Sequence, residues 1–129
     1  MQKKPVVAIV DDDESACEGT TDLLKAMGFV AKGSRSAEDF LQSSHLRHTA
    51  CVITDMRMSG MTGLELHDHL VQSGKTIPTI LVTASPNDRD RARALQAADV
   101  VCYLAKPFND QDLLRCVRSA LESRRVGNL

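Results

Sequence analysis

The sequence predicts an α/β fold built on a central parallel sheet. Short β-branched runs alternate with longer amphipathic stretches along the whole chain. The short runs are continuously apolar, as strands buried on both faces are, and do not alternate as half-exposed strands do. Strand and helix follow one another five times, which implies right-handed βαβ crossovers and hence parallel strands. At 129 residues the chain fits a single domain, 1–129, with no linker, internal repeat or low-complexity segment.

Val6-Val7-Ala8-Ile9-Val10 is the first strand. A helix is expected from about Ser15 to Met27, with Ala16, Thr20, Leu23, Leu24 and Met27 on one stripe and Gly28 at the left-handed cap. Phe29 to Lys32 reads as a weak second strand, and Ser36 as the N-cap of a short helix carrying Ala37, Phe40 and Leu41. Cys51 to Thr54 is a third strand, followed by a Gly-containing loop and a helix over Gly63 to Gln72. Pro78 to Val82 gives a fourth strand, Asn87 to Gln96 a fourth helix and Val100 to Leu104 a fifth strand. The last helix runs from Asp110 to Ser123, with residues 124–129 expected to fray.

Composition excludes several classes. A net charge of −1 leaves no electrostatic footprint for nucleic acid or an anionic membrane. Aromatics make up 3% with no Trp, too few for base-stacking platforms. No segment reaches the roughly 18 continuous apolar residues that span a bilayer, and the start of the chain lacks a secretory h-region. Cys17, Cys51, Cys102 and Cys116 form no CxxC pair and read as small buried thiols of a reducing, cytoplasmic compartment.

Functional groups of an open α/β sheet gather beyond the carboxyl ends of the strands. The first strand ends in Asp11-Asp12-Asp13-Glu14, the third at Asp55, the fourth at Thr83-Ala84-Ser85 and the fifth at Lys106-Pro107. Asp11, Asp12 and Asp55 bring three negative charges together and Lys106 returns one, a balance that a hard divalent cation relieves. Mg²⁺ takes carboxylates, waters and a phosphate oxygen. A carboxylate beside such an ion can attack phosphorus, with Lys106 neutralising charge and Thr83 donating its hydroxyl. Taken alone, Asp13 and Glu14 are ordinary first-turn residues and Gly60 and Gly63 generic turn glycines. His45 and His48 read as solvated, and His67 and His69 share no helix face, so no zinc pair follows. Arg89, Arg91 and Arg93 read as a solvated charged face.

Together, Asp11-Asp12, the run Thr54 to Gly63 around Asp55, Thr83-Ala84 and Lys106-Pro107-Phe108 resemble the bacterial two-component response-regulator receiver domain, of the chemotaxis-regulator type. The resemblance covers essentially the whole chain. It implies a doubly wound, flavodoxin-like sheet of order 2-1-3-4-5. It implies that Asp55 is phosphorylated from a phosphohistidine of a sensor histidine kinase or phosphotransfer protein, with Thr83 and Lys106 contacting the phosphoryl group. Asp11, Asp12, Asp55 and the Arg57 backbone carbonyl would hold Mg²⁺, for which Mn²⁺ can substitute. Tyr103 would swing inward as Thr83 is drawn to the phosphate, switching the surface of helix four, strand five and helix five. The domain would be no enzyme beyond its own phosphorylation and dephosphorylation. It would act on an output domain or downstream partner, with dimerisation on activation one outcome, and bind neither nucleic acid nor membrane itself.

Three departures stand out: Ser59 replaces the family's usual Pro, removing no chemical group; Ala98-Asp99 replaces a Gly-Ala turn; and Arg57 and Ser85 occupy positions where the family tunes phosphoryl lifetime. Two rival readings remain at this point. Asp11-x-Asp13-x-Ser15 loosely imitates the nucleophile motif of haloacid-dehalogenase-type phosphatases, although the late acidic cluster and room for a cap domain are missing and Asp55 is left unexplained. The other rival is a phosphorylation-independent interaction domain on the same fold.

Overall fold

Successive residues of a strand point to opposite faces, and in β1 (Val6–Val10) both faces are buried. Val7 and Ile9 join one core cluster, with Cys17, Leu24, Leu113 and Val117. Ala8 and Val10 join the other, with Phe40, Leu66 and Leu70. This two-sided burial is why the strand reads as an unbroken apolar run. The structure is a computed structural model that describes residues 4–127, with side chains described up to residue 122.

The remaining elements are α1 (Glu14–Ala26), β2 (Val30–Ser34), α2 (Ala37–Leu41), β3 (Thr49–Asp55), α3 (Gly63–Gln72), β4 (Thr79–Thr83), α4 (Asp88–Gln96), β5 (Val100–Ala105) and α5 (Asp110–Gly127). The five strands form one sheet in the order β2-β1-β3-β4-β5, and every neighbouring pair is parallel. Helices α1 and α5 cover one face, while α2 and α3 cover the other. A third cluster of Met56, Leu64, Leu81 and Ala94 lies between α3 and α4, with Tyr103 packed against it. The expected flavodoxin-like α/β architecture is therefore present.

Local signals explain the boundaries. Asp13 caps α1 by accepting the Ala16 amide at 3.0 Å, and Ser36 caps α2 through Asp39 N at 3.0 Å. Gly28 takes φ +93°, the left-handed conformation expected at that cap. Thr62 and Glu65 form a capping box on α3, a signal the sequence contains and the sequence reading passed over. Asn87 caps α4 through Asp90 N at 2.8 Å.

Several expectations are corrected. Met27 is 47% exposed, because it is the C-cap residue of α1 and lies beyond the last full turn of the buried stripe. Strand β2 extends through Lys32-Gly33-Ser34, since its pairing with β1 continues to Val10–Ser34, with Ala31 buried on one face and Ser34 on the other. A short 3₁₀ turn, Leu46–His48, precedes β3. His45 is not solvated: its ring packs near Phe40, with centroids 5.9 Å apart, and burial, with Lys32 second, lowers its pKa. Asp99 adopts φ 68°, so an aspartate serves where the turn before β5 favours glycine. Cys17 and Cys51 are buried thiols as expected, but Cys102 on β5 and Cys116 on α5 are joined as a disulfide, their Cα atoms 6.2 Å apart. The α5 backbone stays helical through Gly127, because no breaker intervenes after Ser123. Of the six residues expected to fray, Asn128 and Leu129 lie outside the described residues.

Candidate functional site

Register assembles the site. Val10 pairs with Thr54 across β1 and β3, so the next residues, Asp11 and Asp55, emerge side by side at the carboxyl edge. Asp55 pairs with Val82 and Thr83 with Ala105, which brings Thr83 and Lys106 to the same edge from β4 and β5. The ladder continues past the strand ends: Asp11 N donates to Ser34 O at 3.1 Å and Lys106 N to Thr83 O at 2.8 Å. The Lys106–Pro107 peptide bond is cis.

The side chains converge accordingly. Carboxylate oxygens of Asp11, Asp12 and Asp55 lie within 4.8 Å of one another. Lys106 Nζ donates to Asp11 Oδ2 at 3.0 Å and to Asp55 Oδ2 at 3.4 Å. Asp11 is 5% exposed and its other oxygen accepts the Asp13 amide at 2.9 Å. Burial pushes the Asp55 carboxyl above its ordinary range; Lys106 opposes the shift, Asp11 adds to it, and a hydrogen bond from the Arg57 backbone N–H opposes it again. Burial pulls the Lys106 ammonium down, but its hydrogen bond to Asp11 and the charges of Asp11 and Asp55 outweigh that, so its pKa is raised. The acid is held up by burial, whereas the base held up between two carboxylates marks a pocket with excess negative charge.

Thr83 is buried, and its hydroxyl oxygen accepts the Ser85 amide at 3.1 Å, which leaves the hydroxyl proton to be donated elsewhere. Ala84 beside it is exposed and small, so the edge is open to an approaching group. Tyr103 is half-buried against Met56, Leu64, Leu81 and Ala94, and its hydroxyl is buried without a hydrogen-bond partner. It lies on β5. Next to Lys106, a groove of about 780 Å³ runs between Ala16, Thr20 and Leu23 of α1 and Pro107 and Phe108.

Four residues matter here that sequence reasoning missed or underrated. Ser59 donates its amide to Asp12 Oδ2 at 3.1 Å, a bond that proline at this position has no N–H to make. The departure at Ser59 removes no chemical group, as expected, and it also adds a hydrogen-bond donor to Asp12. Gly63 is more than a turn glycine: a Cβ there would sit 2.5 Å from the Asp55 backbone oxygen. Asp90, on α4, is 8% exposed and accepts from Arg57 Nη2 at 2.6 Å and Asn87 Nδ2 at 2.9 Å. His67 is buried and its Nε2 lies against the Ala98 carbonyl, fastening α3 to the turn before β5.

The donor set fits a hard divalent cation. The clustered ligand atoms are carboxylate oxygens, which suit Mg²⁺ or Mn²⁺, and among the described residues they are the one cluster of metal-ligand type.

Comparison with known proteins agrees with the geometry. The profile of the response regulator receiver domain matches residues 7–118. Nodulation protein W of Bradyrhizobium diazoefficiens is 34% identical over 122 residues, covering 95% of this chain and 53% of that protein. The transcriptional regulatory protein FixJ of Azorhizobium caulinodans is 32% identical over 117 residues, 89% of this chain and 54% of that one. Among solved structures, the response regulator StyR superposes with a TM-score of 0.89 at 34% identity, over 98% of this chain and 63% of that one. The FixJ-N structure superposes at 0.82 with 31% identity, over 95% and 96%. The chain spans about half the length of the curated relatives it matches. No described helix is long and apolar enough to cross a membrane. A profile match from Val7 to Arg118, on a sheet of the expected strand order, makes this chain a member of the response regulator receiver domain family, whose proteins serve two-component signal transduction.

Proposed function

We propose that the chain is a phosphoacceptor: Asp55 takes a phosphoryl group from a phosphohistidine on a sensor histidine kinase or phosphotransfer protein. The observation that carries this reading is one ammonium shared by two carboxylates, Asp11 and Asp55, at the edge where Thr83 also emerges. An ionised Asp55 oxygen attacks phosphorus, the N–P bond of the donor breaks, and the leaving imidazole takes up a proton. Lys106 moves from carboxylate to phosphoryl oxygen and offsets the charge that accumulates there. Thr83 turns its hydroxyl proton to a second phosphoryl oxygen. Asp11, Asp12, Asp55 and the Arg57 backbone carbonyl would hold Mg²⁺, or Mn²⁺ in its place. The bound ion supplies charge neutralisation at the phosphoryl group.

The groove beside Lys106 offers the phosphodonor an apolar landing surface. The output is a change in the α4–β5–α5 surface, coupled through Thr83 and Tyr103, read by an output domain or a partner protein. The domain turns over nothing except its own acyl phosphate, and its place is the cytoplasm.

Incubation with acetyl phosphate and Mg²⁺ tests the reading. Intact-mass analysis is expected to find one added phosphoryl group, labile to hydroxylamine and absent in Asp55→Asn. A label that survives Asp55→Asn but disappears in Asp11→Asn, with steady turnover of a phosphomonoester, would instead make Asp11 the nucleophile of a phosphatase.

A further inference from the structure

Asp90 is a buried carboxylate outside the cluster of acids, and the phosphoacceptor chemistry makes no use of it. It sits in the first turn of α4, where a negative charge is favourable, but its contacts reach further than its own helix. One oxygen, Oδ2, accepts from both the Arg57 guanidinium and the Asn87 side-chain amide. Asn87 in turn caps α4 through Asp90 N. Arg57 stands two residues beyond Asp55, and its backbone N–H is hydrogen-bonded to the Asp55 carboxylate. One arginine thus touches the phosphoacceptor with its main chain and α4 with its side chain. The ion pair joins positions 33 apart in sequence.

A phosphoryl group on Asp55 carries about 1.5 to 2 negative charges where the carboxylate carried one, so up to about one more charge, and three acceptor oxygens, stand within the loop that carries Arg57. Charge-assisted bidentate contact with phosphoryl oxygens is what a guanidinium favours over a single bond to one carboxylate oxygen. Leaving Asp90 unpaired and buried would be costly. That cost is limited, because Asn87 Nδ2 stays in contact and Arg93, one turn along α4, lines the same small cavity of about 100 Å³. The Arg57 side chain is 62% exposed, so it has freedom to reorient.

We infer that Asp90 is a positioning residue that holds the Arg57 guanidinium on α4 while Asp55 is unmodified and yields it when Asp55 carries a phosphoryl group. The start of α4 is then tethered to the phosphoacceptor loop in the unmodified state and released in the modified one. This rests on Asp55 being the phosphoacceptor, and it adds a coupling route separate from Thr83 and Tyr103.

Beryllofluoride with Mg²⁺ serves as the phosphoryl mimic, and its occupancy of Asp55 is read by ¹⁹F NMR with Asp55→Asn as the blank. The Arg57 Nε–H signal and the exchange of the Asp90 and Arg91 amides are then followed. In the native chain, beryllofluoride is expected to move the Arg57 signal and speed exchange of both amides about tenfold, the scale of a lost hydrogen bond to a charged group. Asp90→Asn is expected to do the same without beryllofluoride, Asp90→Glu to keep native behaviour, and Arg57→Ala to abolish any further response. An unmoved Arg57 signal at full ¹⁹F occupancy overturns the release. Equal acceleration by Asp90→Asn with and without Arg57 reduces Asp90 to a local helix cap and overturns it too. Absence of any ¹⁹F signal dependent on Asp55 overturns the phosphoacceptor reading, and this inference with it.

Discussion

At the scale of single residues, the Asp55 carboxyl is held above its ordinary range chiefly by burial, against the pull of Lys106. A carboxyl raised on folding favours the native state below its unfolded pKa, and that contribution is lost as pH rises through the folded value. At neutral pH Asp55 is therefore a liability to the unmodified fold. Asp55→Asn is expected to raise its stability by on the order of 1 kcal/mol at pH 7, with the difference vanishing below the ordinary carboxylate pKa. Urea titrations at both pH values check this, and a destabilised Asn variant at pH 7 contradicts it. Lys106 has the opposite sign. Its raised pKa contributes stability that is fully present below the ordinary lysine value and lost as pH climbs through the higher folded one. Lys106→Met is expected to lose about 1–3 kcal/mol between pH 6 and 9, because two carboxylates are left facing each other. Ser59→Pro removes the amide that competes for one Asp12 oxygen, and Mg²⁺ is expected to bind a few-fold tighter by calorimetric titration. No pattern of residue types announces that amide. Sequence shows a missing proline, but which way the freed N–H points is decided by how the loop after Asp55 folds back on Asp12.

At the scale of elements, helix α3 is set against β3 with no room to spare. Gly63 opens the helix directly on the Asp55 backbone oxygen, and its amide donates to Met56 O at 3.0 Å. Gly63→Ala drives a methyl into backbone that cannot rotate away, unlike the far end of a flexible side chain. The expected loss is about 2–3 kcal/mol, together with slower acetyl phosphate labelling as Asp55 shifts. An alanine variant with native stability would mean that α3 moves off freely. Elements buried on both sides were the easiest to read from sequence, since β1 and the centres of β3 and β4 are continuous apolar runs. The edge strand β2 carries Lys32 and Gly33 and so lost its last two residues in the reading. Helix α4 was found through Asn87 and its helical run, but the reason Asp90 is buried lies in Arg57, which no local periodicity reports.

At the scale of the whole molecule, strand order came from the family resemblance, whereas the four strand-end acceptors and donors were legible in the residues themselves, because a parallel sheet gathers its carboxyl ends on one edge whatever the loops do. Pairings between distant side chains were not legible: the Cys102–Cys116 link and the His67 strut to Ala98 depend on how helices lie on the sheet. Binding an ion at the acidic edge stabilises the native state by mass action, about 2.7 kcal/mol at a hundred times its dissociation constant. Addition of Mg²⁺ is thus expected to raise the melting temperature by several degrees, chelation to reverse it, and Asp12→Asn to blunt it. An equal rise in Asp12→Asn would place the ion elsewhere. The two register shifts, between Val6 and Val7 and between Thr79 and Ile80, both fall at the opposite end of the sheet from the acidic edge. From those points onward every strand keeps strict odd-even order to its last residue. The site consequently behaves like a parity check on chain length. Residues can be gained or lost in the connections at the far end, but a single insertion within Val7–Val10 or Ile80–Thr83 exchanges one buried face of the sheet for the other and disassembles pocket and core in the same step.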